Sequence, residues 1–223
     1  VLVAACPNCG AELHFRSTAL PVRVCDFCRS TIVRNDQDLS AMGKVAAVPA
    51  DISPLQLGTR GQHDDRDFEL VGRIRWRWSG GAWNEWVMLF ADGAQGWLGD
   101  AACRYTVMFE RPGTHKNIRL VQKLSRGEKI EPGEALTLGG ARYEAIDIRD
   151  VECAGSEGEL PFSTPLGLSM SSIDLINSTG LCASIQKDRG QVSVYQGRHV
   201  SLAELRPINL RRFEGWTMPE FAR

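Results

Sequence analysis

Phe68-Glu69-Leu70-Val71-Gly72-Arg73-Ile74-Arg75-Trp76-Arg77-Trp78 is the stretch on which the reading of the fold turns. Its even positions are Phe, Leu, Gly, Ile, Trp and Trp, and its odd positions are Glu, Val, Arg, Arg and Arg. A period of two sustained over this length belongs to a β-strand with one buried face and, here, an arginine-rich face turned outward. Gly72 interrupts the large side chains and marks a bulge or bend. Ser79-Gly80-Gly81-Ala82 then turns the chain into a second strand over residues 84–91, where Trp86, Met88 and Phe90 alternate with Glu85, Val87 and Leu89. Because a one-residue slip exchanges the two faces of a strand, parity favours an odd loop of three or five residues. With five, Arg77 lies opposite Glu85. Asp92-Gly93 makes the next hairpin turn, and Gln95-Gly96-Trp97-Leu98 opens a third strand.

The same order of elements recurs further along. Leu57-Gly58 followed by Phe68-Glu69-Leu70-Val71 is matched by Leu138-Gly139 followed by Tyr143-Glu144-Ala145-Ile146. The hairpin around Asp92-Gly93 is matched by residues 183–186, the Asp188-Arg189-Gly190 turn and residues 192–195. The expectation is a mainly β body over residues 54–206, built from two related small β-barrel or meander units, 54–110 and 130–206, packed together. Ser201-Leu202-Ala203-Glu204 is a capping-box pattern that predicts one short helical turn.

Ahead of this body stand Cys6-Pro7-Asn8-Cys9 and Cys25-Asp26-Phe27-Cys28. Two Cys-x-x-Cys turns aim four thiolates at one ion, the donor set of a tetrahedral structural Zn2+ site with no position left for water or substrate. The segment between the pairs alternates at Leu13 and Phe15 and then runs Pro21-Val22-Arg23-Val24, which predicts a small hairpin. Residues 1–34 therefore read as a zinc ribbon, and 35–53, rich in polar, Ala, Gly and Pro residues, as a linker. Cys103, Cys153 and Cys182 are isolated and read as small buried apolar side chains. An odd cysteine count without a disulfide framework fits a reducing, cytoplasmic setting.

The motif Trp83-Asn84-Glu85-Trp86-Val87-Met88-Leu89-Phe90-Ala91-Asp92-Gly93, with Gly96-Trp97-Leu98 behind it and Gly158-Glu159-Leu160-Pro161-Phe162 further on, resembles the bacterial family called domain of unknown function 4178. The resemblance covers roughly residues 54–206. It implies a β-rich bacterial cytoplasmic domain, often behind a zinc ribbon and linked to polyamine metabolism or membrane stress. It brings no assigned catalytic residues.

Composition narrows the partners. The 223 residues carry 26 Lys plus Arg against 27 Asp plus Glu, a formal net charge of -1, so there is no global basic field for nucleic acid or an anionic membrane. The longest apolar runs, 45–50 and 86–91, fall far short of the ~20 residues of a spanning helix, so no membrane insertion is expected. In residues 1–34 four arginines face Glu12 and Asp26, and four thiolates with one Zn2+ cancel that surplus. A ribbon of this charge suits protein docking better than nucleic-acid binding.

The functional expectation is a non-catalytic zinc-binding protein that acts as an interaction or adaptor module with a protein partner. Trp216 and Phe221 in the tail 207–223, together with Arg73, Arg75 and Arg77, are the candidate contact residues. The row of arginines beside Trp76 and Trp78 alternatively suits single-stranded nucleic acid, although such a row is more often the solvated face of an edge strand. A third reading puts a pocket for a polyamine-like cation at Glu157, Glu159 and Phe162. His14, His63, His115 and His199 share no motif, and His63 beside Asp64 and Asp65 reads as a solvated loop residue. The chain is not expected to be an enzyme.

Overall fold

The computed structural model of the chain describes residues 2–35, 38–113 and 118–222, so His115 lies outside the described residues. The N-terminal module holds β1 (Leu2–Ala5), β2 (Glu12–Phe15), β3 (Val22–Val24), β4 (Ser30–Asn35) and β5 (Asp38–Lys44). β1 pairs with β2 and β3 with β4, each pair closing over one Cys-x-x-Cys turn. The hairpin expected between the two cysteine pairs is thus replaced by two hairpins, each folded back across its own cysteines. β5 falls within the stretch read as a linker and pairs with β4.

The body runs through β6 (Arg60–His63), β7 (Arg66–Trp78), β8 (Gly81–Phe90), β9 (Gln95–Ala101), β10 (Arg104–Glu110), the helix α1 (Arg119–Ser125), β11 (Ala135–Leu138), β12 (Ala141–Leu160), β13 (Ser169–Asn177), β14 (Leu181–Asp188) and β15 (Gln191–Val200). Antiparallel pairings lead from β7 through β8, β9 and β10 to β15, β14, β13 and β12. β12 then pairs with β7, completing a ring of eight strands. β6 and β11 are short additions to β7 and β12. The two related units are therefore meanders that share one ring, joined along the β7–β12 and β10–β15 seams.

Their correspondence extends to single residues. The two-residue turns Asp64-Asp65 and Gly139-Gly140, 75 positions apart, are left-handed at both residues. The bulge in β7 falls at Val71 and the bulge in the β12–β13 pairing at Ile146, again 75 apart. Further on the offset is 87: Gly93 matches Gly180, and Ala102-Cys103 matches Arg189-Gly190. Equivalent residues face each other at both seams, Arg77 opposite Glu152 and Phe109 opposite Gln196, as an approximate two-fold axis through the ring requires. The match of Phe68–Val71 to Tyr143–Ile146 has this register. The other two sequence matches do not: Leu57-Gly58 precedes β6 whereas Leu138-Gly139 ends β11, and the counterpart of the Asp92-Gly93 turn is Thr179-Gly180.

The β7–β8 register departs from the parity argument in an instructive way. The turn is only Ser79-Gly80, with Trp78 opposite Gly81 and Trp76 opposite Trp83. The bulge between Leu70 and Gly72 then supplies the extra residue, and beyond it Phe68 and Leu70 pair with Phe90 and Met88 as expected. Arg77 consequently lies opposite Ala82 in β8, and its ion pair is with Glu152 on the other side, at 3.1 Å.

The strands are covered on both faces. Phe68, Leu70, Trp86, Met88 and Leu98 pack beneath Leu55, Leu205 and Leu210, which belong to segments laid over the first meander. On the second meander α1 plays that part, its Leu120, Val121 and Leu124 packing on Tyr143, Ile173 and Ile185. The opposite parity of β8, with Val87 and Leu89, joins Ile74, Trp76 and Val151 in a separate cluster that also takes in Leu20, Val22, Val24 and Val45 from the ribbon side. Ser201 and Glu204 form the expected reciprocal capping box, their backbone N–H groups donating to each other's side chains at 2.6 and 3.2 Å. No helix among the described residues is long and apolar enough to cross a membrane.

Candidate metal centre and ring cavity

Each Cys-x-x-Cys turn is built alike. The Gly10 N–H donates to the Cys6 carbonyl at 2.8 Å and the Arg29 N–H to the Cys25 carbonyl at 2.9 Å, with Gly10 and Arg29 both in the left-handed region. All four ligand sulfurs lie within 4.8 Å of one another. Cys6 and Cys28 Sγ are 3.8 Å apart, and Cys9 and Cys25 Sγ 3.7 Å. A disulfide would need ~2.05 Å, whereas metal–sulfur bonds of ~2.3 Å in a tetrahedron give edges of about 3.8 Å. The donor set therefore fits a metal ion. The Ser30 hydroxyl and the Asn8 amide, hydrogen-bonded to the Cys28 sulfur, draw that thiol down, while the neighbouring sulfurs push the Cys9 thiol up, as thiols crowded at one point do.

Gly158-Glu159-Leu160-Pro161 ties this module to the ring. Gly158 lies opposite Gly72 across the β7–β12 seam. A Cβ on Gly72 would stand 1.8 Å from the Glu159 carbonyl oxygen, and one on Gly158, at φ +76°, 2.3 Å from that of Val71. Glu159 is fully buried and accepts the backbone N–H groups of Arg16 at 2.8 Å and Ser17 at 3.1 Å, with the Arg23 guanidinium at 3.6 Å. Glu157 pairs with Arg73 at 3.3 Å, and Phe162 packs on Trp97 with ring centroids 6.1 Å apart. The ligand pocket read at Glu157, Glu159 and Phe162 is not formed: both carboxylates are spent on holding the chain together.

The arginine row is likewise not a surface. Arg73 is 4% exposed, lies over the Trp86 ring at 4.7 Å, and binds Asn84 at 3.0 Å as well as Asp51. Arg75 reaches the same Asp51 at 2.6 Å, and Arg211 reaches it from the tail side at 3.1 Å. Arg77 alone of the three is exposed. The chain around residues 51–55 and 205–211 covers the face that the alternation assigned to solvent. In the tail, Trp216 and Phe221 are 36% and 44% exposed, and Trp216 packs edge-on against Phe213. His63 is buried against Phe109, and that burial lowers its affinity for a proton.

A cavity of about 310 Å³ takes at least one residue from every strand of the ring, and so lies inside it. Trp78, Trp83, Trp97 and Tyr195 line it, with Arg149, Thr106 and Ser184 between them. Four carboxylates line it; Asp147 is paired with Arg149 and Asp100 is bonded to Ser53 and Asn84, which leaves Glu85 and Asp174. Glu85 accepts the indole N–H groups of Trp76 at 2.9 Å and Trp83 at 3.3 Å and the Gln186 amide at 3.1 Å. Asp174 is hemmed in by protein yet reachable by solvent from the cavity. Burial raises both carboxyls above their ordinary range. Neither forms an ion pair among the described residues. The Ser184 hydroxyl, 3% exposed and across the register from Asp174, is near enough to ease that shift but completes no hydrogen bond of its own.

Sequence reasoning missed this site because Glu85 was placed on a solvent face. Val87 and Leu89 share its parity, and apolar residues on both faces of β8 were the available sign that the strand is covered twice.

A cluster of four cysteines that could hold a metal ion, beside a ring of antiparallel strands with a carboxylate-bearing cavity inside, defines a β-ring protein with a candidate metal centre. The chain belongs to the family described as Domain of unknown function (DUF4178), whose model matches residues 56–202 and so spans every strand of the ring. No curated protein and no solved structure matches it.

Proposed function

We propose that this protein is a non-catalytic small-molecule-binding protein whose ligand sits inside the eight-stranded ring, with the N-terminal ribbon holding a structural zinc ion. The observation that carries this reading is the cavity lined from all eight strands, where Glu85 and Asp174 share the wall with three indole rings and with Arg104 and Arg149 and neither carboxylate closes an ion pair among the described residues. A charged group enclosed in protein is costly unless it is paired, and concave, largely aromatic sites with a few convergent polar groups are the usual form of ligand pockets. The cavity is at the small end of such pockets, which suits a metabolite and not a polymer.

Zinc is the metal favoured by four thiolates in a tetrahedron. With every position taken by cysteine, it supplies no site for water activation and acts by holding the two hairpin turns together. The ribbon's position beside β12 gives it a mechanical part in the ring and leaves the cavity to do the binding.

Titration of the full chain with a panel of small cationic, neutral and anionic molecules, followed by tryptophan emission, tests the proposal. At least one class should shift the emission saturably, and Ser172→Leu, which fills part of the cavity, should remove the response. A panel without effect on either protein would sink it.

A further inference from the structure

Resting on the reading of the ring as a ligand-binding cavity, we infer that the ligand is an amine: a short apolar body carrying an N–H-bearing ammonium group that is held by Asp174 and Glu85. The two carboxylates are not equivalent. An ionised carboxylate offers about four acceptor positions. Glu85 has three of them occupied by Trp76, Trp83 and Gln186, which fix its orientation and leave one open. Asp174 stands open to the cavity and forms no ion pair among the described residues. Asp174 is therefore the main anchor and Glu85 the oriented second acceptor. Buried Ser184, with its hydroxyl unsatisfied beside Asp174, offers one more polar contact to the same head group.

The aromatic wall decides between kinds of cation. Three indoles suggest the open cage that takes quaternary ammonium groups. Here each indole already has a neighbour: Arg149 lies over Trp78 at 4.2 Å, Trp78 packs tilted on Trp83 at 5.5 Å, and Trp97 packs tilted on Phe162. What remains unsatisfied is hydrogen-bond acceptance by carboxylates, which only an N–H donor can meet, and such charge-assisted bonds are among the strongest available. Arg149 lines the same cavity, but its guanidinium pairs with Asp147 and closes no ion pair with Asp174 or Glu85. The mouth supplies the apolar contact, through Ile146, the bulge residue of β12, which is 58% exposed and lines the cavity. Its equivalent Val71 is buried in the cluster that includes the ribbon's Val22 and Val24, so one side of the ring is stoppered and the other open.

Four probes with one six-carbon body and different heads test the inference: hexylammonium, hexyltrimethylammonium, hexanol and hexanoate, each titrated into the full chain by calorimetry and tryptophan emission. Hexylammonium should bind at least tenfold tighter than any other. Asp174→Asn should weaken it about tenfold or more while leaving hexanol unchanged, which also shows that the variant keeps its fold. Equal or tighter binding of hexyltrimethylammonium, hexanol or hexanoate would overturn the amine assignment and leave the cavity reading standing. Absence of binding by all four would overturn both.

Discussion

Gly72 and Gly158 face each other across the seam that completes the ring, each with a backbone carbonyl where the other residue types carry Cβ. Replacing either by Ala forces the two strands apart at the point where β12 passes from the ring to the ribbon. Overpacking of this kind costs ~1–3 kcal/mol, and backbone neighbours cannot yield as a side chain would. Gly72→Ala and Gly158→Ala should each lower the unfolding free energy extrapolated from urea titration by at least that amount, whereas Gly93→Ala, whose Cβ would meet open space, should show only the cost of its left-handed φ.

Asp51 holds Arg73, Arg75 and Arg211 at once. Removing one partner of a buried ion pair leaves charge uncompensated and typically costs ~3–5 kcal/mol. Asp51→Ala should destabilise the chain by about that much in chemical denaturation and raise hydrogen exchange around residues 205–211. Arg77→Ala, at an exposed pair with Glu152, should change stability by less than about 1 kcal/mol.

Glu85 and Asp174 give stability a pH dependence of defined sign. Their folded carboxyls hold protons to higher pH than the unfolded chain does. Their contribution is thus fully present below the ordinary carboxylate range near ~4 and is lost as pH rises through the folded values. The Glu85→Gln/Asp174→Asn variant should lack this loss, so its melting temperature should gain on the parent as pH is raised from about 4 to 8. A difference that shrinks with rising pH would contradict the assignment.

The four-cysteine centre should take one metal ion per chain. Adding Co2+ to chelated protein should give the absorption of a tetrahedral thiolate site, and Cys25→Ser should abolish it. Structural zinc in small modules supplies ~10–16 kcal/mol of apparent folding free energy. Chelation should therefore expose amides of β1–β4 to hydrogen exchange first, while those of β10 and β15, at the seam opposite β12, remain protected.

Local chemistry was the readable part of this chain. Cys6, Cys9, Cys25 and Cys28 come together as their spacing implies because two residues between thiols is a property of the turn itself, and the capping box at Ser201 and Glu204 is equally local. The alternation from Phe68 to Trp78 announced a strand, but an odd loop and an internal bulge satisfy the same parity, and only the fold chose the bulge at Val71. Arg73 was read outward because nothing in β7 signals that Asp51 and Arg211 lie across it. The cavity was least visible of all, since Glu85 and Asp174 meet only after eight strands have come round.

The ring also orders events in time. Within each meander, neighbouring strands are joined by short turns, whereas the seams join residues 75 and 87 positions apart, as at Arg77 with Glu152 and Phe109 with Gln196. Closing long loops is entropically slower than zipping hairpins. Both meanders can therefore be assembled while their outer edges still lie open, and until β15 has been made and has found β10, those edges are the part of the newborn chain most exposed to pairing with a neighbouring copy.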